Sequence, residues 1–216
     1  MIRLVDLAYW SCICIYKPVT PKVFDKVIQV GPITVGVVYR DGCTALVLPG
    51  SESLADWLAD LDAVPFMHPV FGLVHLGLWR GMEDVFTAVK PLIQGDLYLT
   101  GHSKGAAQVA NLAAICTFNL VPVRYLALFE SPRAGGQQYA DYLKRNINSY
   151  FSSRNGLDPV PAVPLAPFVD PLPTTDLHVP PAGLERALPT DWHLGPLIYA
   201  GVQRYVAATK EVVTQP

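Results

Sequence analysis

The sequence predicts an α/β domain spanning residues 1–216, with a central, mostly parallel sheet flanked by helices. Three observations predict it. The chain has 216 residues, 51% hydrophobic and 16% charged, enough to bury one substantial core. Short β-rich runs alternate with helical patterns along most of its length. Around residues 97–107 a hydrophobic strand passes into a helix through a G-x-S-x-G turn.

The elements follow in order. Met1 to Tyr16 is apolar but is interrupted by Lys17-Pro18, and no small-residue cleavage site follows it. It reads as a helix or strand of the mature chain. Val27 to Val30 and Ile33 to Tyr39 are strands split by Gly31-Pro32. Asp41-Gly42 turns the chain into a strand from Thr44 to Leu48. Ser51 to Leu61 carries Leu54, Trp57, Leu58 and Leu61 at helical spacing. Leu76 to Leu92 reads as one amphipathic helix ended by Pro91.

Asp96 to Thr100 is a short strand, and Lys104 to Thr117 an Ala-rich helix. Arg124 to Phe129 is a strand, Gly135 to Lys144 a helix and Ser149 to Ser152 a strand. Nine of the 20 prolines then fall between Pro159 and Pro189. That density excludes regular helix and predicts an ordered wrapping loop, with a short strand near Leu177 to Val179. Trp192 to Ala208 closes the chain as a helix.

Composition narrows the function classes. With 16 basic and 18 acidic residues the net charge is −2, so no electrostatic footprint for nucleic acid or anionic lipid is present. No apolar run reaches membrane-spanning length. Cys12, Cys14, Cys43 and Cys116 lack metal-ligand spacing and read as reduced thiols, Cys116 packing as a small hydrophobe.

The chemistry centres on Gly101-His102-Ser103-Lys104-Gly105. A serine on a tight strand-to-helix bend has its hydroxyl lifted above the sheet edge. Side chains at the flanking positions would collide there, which calls for Gly101 and Gly105. The Lys104 N–H then sits at a helix N-terminus, aimed at a developing oxyanion. Such a serine needs a base and an orienting acid. His178 and His193 are the histidines that follow it. His193 is favoured, because a loop before the last helix can carry it over the sheet. The acids include Glu130, Asp141, Asp158, Asp170 and Asp176. Asp158 is favoured, since it follows a strand end and precedes stiffening prolines. Asn155-Gly156 beside it reads as a turn.

From about Ala45 to Tyr199 the chain resembles the class 3 (fungal-type) lipase family of the α/β-hydrolase superfamily. Thr44 to Trp57 resembles its strand ending in F-R-G-[ST] and its D-W segment. Leu73-Val74-His75-Leu76-Gly77-Leu78 resembles V-H-x-G-F. Leu99 to Ala107 resembles T-G-H-S-L-G-G-A. Phe129-Glu130-Ser131-Pro132-Arg133-Ala134-Gly135 resembles F-G-x-P-R-V-G, and Ser153 to Pro161 resembles N-x-x-D-x-V-P. Pro49, Lys104 and Ala106 depart from the usual Arg, apolar residue and Gly.

The resemblance implies an α/β-hydrolase fold. It implies Ser103 as nucleophile, Asp158 as acid and His193 as base, with Ser51 and the Lys104 N–H holding the oxyanion. The expected activity is hydrolysis of carboxylic esters of lipid or small acyl substrates through an acyl-enzyme, with no metal or organic cofactor. Ser51 to Leu61 would then be a lid that meets a lipid interface transiently. The alternatives are phospholipase or acyltransferase chemistry on the same triad, or a catalytically silent hydrolase-fold binding module. The chain lacks the cysteine-bridged look of secreted relatives and a clear export signal, so cytoplasmic location is the default expectation.

Overall fold

The computed structural model describes residues 2–16, 23–51, 64–181 and 189–209. The expected lid helix from Ser51 to Leu61 lies, beyond Ser51 itself, outside the described residues. The first helix, α1 (Leu4–Cys12), precedes strands β1 (Lys26–Val30), β2 (Ile33–Arg40) and β3 (Cys43–Leu48). Strands β4 (Pro65–His68) and β5 (Gly72–His75) follow, then helices α2 (Leu76–Trp79) and α3 (Met82–Val89). Next come β6 (Leu97–His102), α4 (Lys104–Phe118), β7 (Val123–Phe129), α5 (Gln137–Asn146) and β8 (Tyr150–Arg154). The short β9 (Thr175–Asp176) and α6 (Gly195–Thr209) complete the order.

Seven strands form one sheet in the order β1-β2-β3-β6-β7-β8-β9. β1 to β3 are an antiparallel meander. From β3 onward every neighbour is parallel, as strand–helix alternation requires. Strand periodicity sorts the core into two layers. Leu46, Leu48, Leu97, Leu99, Leu126 and Leu128 face α3, α4 and α5. Ala45, Val47, Tyr98, Ala127 and Phe129 face α1 and α6. Ala106, Ala107, Ala110, Ala113 and Ala114 are fully buried, and their small side chains let α4 lie close on the sheet.

Three expectations need correction. The single helix over Leu76 to Leu92 is two helices and a 3-10 turn at Lys90–Leu92. The break falls at Gly81, whose φ of +83° is the left-handed conformation only glycine adopts without strain. The predicted apolar stripe survives the break, for Met82, Val85, Phe86 and Val89 are all buried. The short strand expected at Leu177 to Val179 lies two residues earlier. Leu177 still donates to the Arg154 carbonyl at 2.8 Å, but His178 at φ +48° turns the chain away from the sheet. The last helix starts at Gly195, because Trp192 and His193 belong to a 3-10 turn over Pro189–His193. The β4–β5 hairpin had no sequence forecast. Met67 and Phe66 on it are exposed, so it lacks the alternation that marks a half-buried strand. None of the four cysteines is in a disulfide, and Cys116 is fully buried as expected.

Candidate active site

The turn between β6 and α4 has the geometry its spacing predicted. Ser103 has φ +57° and ψ −131°, a strained backbone for a residue with a Cβ. It is held from outside: its N–H donates to the Phe129 carbonyl of β7 at 2.9 Å. The glycines are sterically required. A Cβ on Gly101 would run into the Gly105 carbonyl and lie 2.7 Å from the Ala106 nitrogen. One on Gly105 would meet the Leu48 and Pro49 carbonyl oxygens. Gly105→Ala should therefore push α4 off the end of β3. The expected cost is about 2 kcal/mol or more of unfolding free energy, read from urea unfolding curves.

Gly50 matters for a similar reason. A Cβ there would sit 2.7 Å from the Ser103 Cβ, so the segment that leaves β3 approaches the serine only as glycine. Ser51 and Lys104 line a cavity of 480 Å³ together with Ile15, Tyr16, Ile33 and Gln108. Lys104 is the first residue of α4, so its N–H belongs to the turn that has no intrahelical partner. The two predicted oxyanion donors thus border one space.

Asp158 and His193 are brought together. Both are buried, and His193 Nδ1 lies 2.6 Å from Asp158 Oδ2. The other carboxylate oxygen accepts the Val160 N–H at 2.9 Å, so the acid cannot swing. The His193 ring stacks on His102, the residue before Ser103, with centroids 4.7 Å apart. His193 Nε2 is buried and makes no hydrogen bond among the described residues. His178 is exposed, with its ring 6.2 Å from Trp192. Asp170 pairs with Arg133, and Asp176 with Arg154, both at the surface. Asp141 accepts from Gln137 on exposed α5.

Three residues support this site in ways that sequence reasoning missed. The Tyr16 hydroxyl accepts the Gly50 N–H at 2.6 Å and donates to His102 Nδ1 at 2.8 Å. His102 is kept neutral, since burial and the nearby His193 hold its pKa well below the usual value. Asn155 is more than a turn residue. Its amide hydrogens go to the Val179 and Trp192 carbonyls, and its oxygen accepts the Val179 N–H. Glu130, considered as an acid, is instead buried behind Asp158. An acidic residue directly after an apolar strand was the available signal for Glu130. Tyr16 offered none, because its partner is 86 residues away.

A mostly parallel sheet bearing a serine on a strained strand–helix bend, with an acid–histidine pair on later loops, defines an α/β-hydrolase. The family model described as Lipase (class 3) matches residues 45–168, and the chain belongs to that family. It is 32% identical over 146 residues to secreted mono- and diacylglycerol lipase A of Penicillium cyclopium, and equally to that of Penicillium camembertii. The match covers 61% of this chain and 46% of the relative, so the chain spans about half the length of the curated relatives it matches.

Among solved structures, a mutant form of the Penicillium cyclopium lipase superposes with a TM-score of 0.64. It covers 82% of this chain and 81% of that one at 21% identity, a likeness of fold alone. Rhizomucor miehei triacylglyceride lipase gives a TM-score of 0.58 at 26% identity, over 73% of this chain and 68% of that one. These relatives correct the cytoplasmic default, since both curated ones are secreted lipases. The default rested on the lack of a clear export signal and of a cysteine-bridged look, and neither absence carries physical weight. Among the described residues no helix is long and apolar enough to cross a membrane.

Proposed function

We propose that this chain is a serine hydrolase that cleaves carboxylic esters of acylglycerols or small acyl substrates through an acyl-enzyme. One observation carries the reading: a buried Asp158–His193 pair at 2.6 Å, packed against the turn that strains Ser103. In the cycle, His193 Nε2 takes the Ser103 proton as Oγ attacks the ester carbonyl. Asp158 holds the other ring nitrogen as a donor and stabilises the imidazolium. The Lys104 N–H and Ser51 receive the oxyanion, and loss of one such donor costs about a hundredfold in rate. His193 then returns its proton to the leaving alcohol and activates the water that releases the acid. The names of the curated relatives support an acylglycerol as substrate. The cavity beside Ser51 and Lys104 has apolar walls in Ile15 and Ile33, which suits an acyl chain.

The test is covalent. A fluorophosphonate probe should label Ser103 in the wild type and leave Ser103→Ala unlabelled. A graded series of p-nitrophenyl esters then ranks acyl length, with preference for long chains favouring a lipase and preference for acetate or butyrate an esterase. A folded wild type that takes no label and turns over none of the series would sink the proposal in favour of a binding module.

A further inference from the structure

Glu130 is a fully buried carboxyl that the acyl-transfer cycle does not use. It follows β7 directly at φ +54°, a backbone state that favours glycine. The family motif quoted above has glycine at this place, so glutamate is retained here against backbone strain. Its partners show what it does. Oε1 accepts the Ser153 hydroxyl at 3.0 Å, and Oε2 accepts the Asn155 N–H at 2.7 Å. Asn155 in turn holds the carbonyl of Trp192, the residue before His193, at 3.0 Å. The Asp158 N–H donates to the Asn155 carbonyl at 3.1 Å. Asp158 is also near enough to raise the pKa of this carboxyl.

We propose that Glu130 is a positioning residue: shared between Ser153 and Asn155, its carboxyl fixes the loop that carries the acid and, through Asn155, the loop that carries the base. This rests on the hydrolase reading above. Burial, then the neighbouring Asp158, hold the Glu130 pKa well above the ordinary carboxyl range. Such a carboxyl holds its proton to higher pH than an ordinary glutamate, so it can sit beside Asp158 without adding a second negative charge. The other titratable group packed near it is Cys12 of α1, a thiol whose pKa is pushed up by burial. It contributes no charge. Glu130 does not touch substrate.

Three proteins test this: wild type, Glu130→Gln and Glu130→Gly. E130G relieves the backbone but removes the clamp. It should lose kcat by about tenfold to a hundredfold with KM nearly unchanged. E130Q keeps an oxygen acceptor for the Asn155 N–H and an amide N–H that the Ser153 hydroxyl can accept, and should restore kcat to within a few-fold at neutral pH. Two readouts do not depend on turnover. The wild type should show the infrared C=O band of a protonated carboxyl at neutral pH, absent from E130Q.

A raised carboxyl pKa contributes stability that is complete below the unfolded value of about 4.3 and is lost as pH rises toward the folded value. E130Q should therefore gain stability relative to wild type as pH rises above about 4.3. E130G as active as wild type, E130Q no better than E130G, or no infrared difference would each overturn the proposal. The infrared and pH–stability measurements need only E130Q, so they decide even where E130G does not fold. A wild type inactive on every ester, with the Glu130 band intact, would instead strike down the hydrolase reading.

Discussion

His193→Ala should lower kcat for p-nitrophenyl butyrate by about a millionfold, to the residual rate that oxyanion donors and binding supply alone. The imidazole is the group that can carry the Ser103 proton, and its Nδ1 already engages Asp158 at 2.6 Å. His178→Ala is the matched control. That ring is exposed and its backbone N–H is tied to Asp176, so the variant should keep most of its turnover. Steady-state kinetics on both purified variants, with unfolding midpoints to confirm folding, make the comparison. Loss of activity in His178→Ala with retention in His193→Ala would move the base to the wrong loop and end the assignment.

Asp158→Asn should cost about ten-thousandfold in kcat while leaving the protein folded. The reason lies in how the carboxylate is held. Its Oδ1 accepts the Val160 N–H at 2.9 Å, so the amide oxygen of asparagine takes that place. The NH2 group then points at His193 Nδ1 and donates to it. That forces the ring proton onto Nε2, the nitrogen that must accept the Ser103 proton. The loss should appear in kcat far more than in KM, because Asp158 orients the base rather than the substrate. A variant within about tenfold of wild type would mean that the ring is oriented without the Asp158 carboxylate, and would remove the acid from the assignment.

Legibility in the sequence followed the range of the forces involved. The strands around Ile33–Arg40, Leu97–His102 and Val123–Phe129 were readable because a short β-rich apolar run bounded by turn residues is a local signal, and these central strands are buried along most of their length. The break at Gly81 was not, since a glycine inside an apolar stripe reads equally as a tolerated helical residue. The 65–75 hairpin was missed because its exposed Phe66 and Met67 disobey the alternation.

By itself, the order of residues determined the strand–helix alternation, the bend that strains Ser103 and the steric need for Gly101 and Gly105. Each of those is a consequence of sterics and periodicity within a dozen residues. Only the tertiary structure decided that Asp158 meets His193 across 35 positions and that His178 does not reach it. It also decided that Glu130 and Asn155 tie the two loops from beneath. Those pairings depend on which strand ends the parallel sheet places side by side, and on burial that raises the pKa of a carboxyl usually found at the surface.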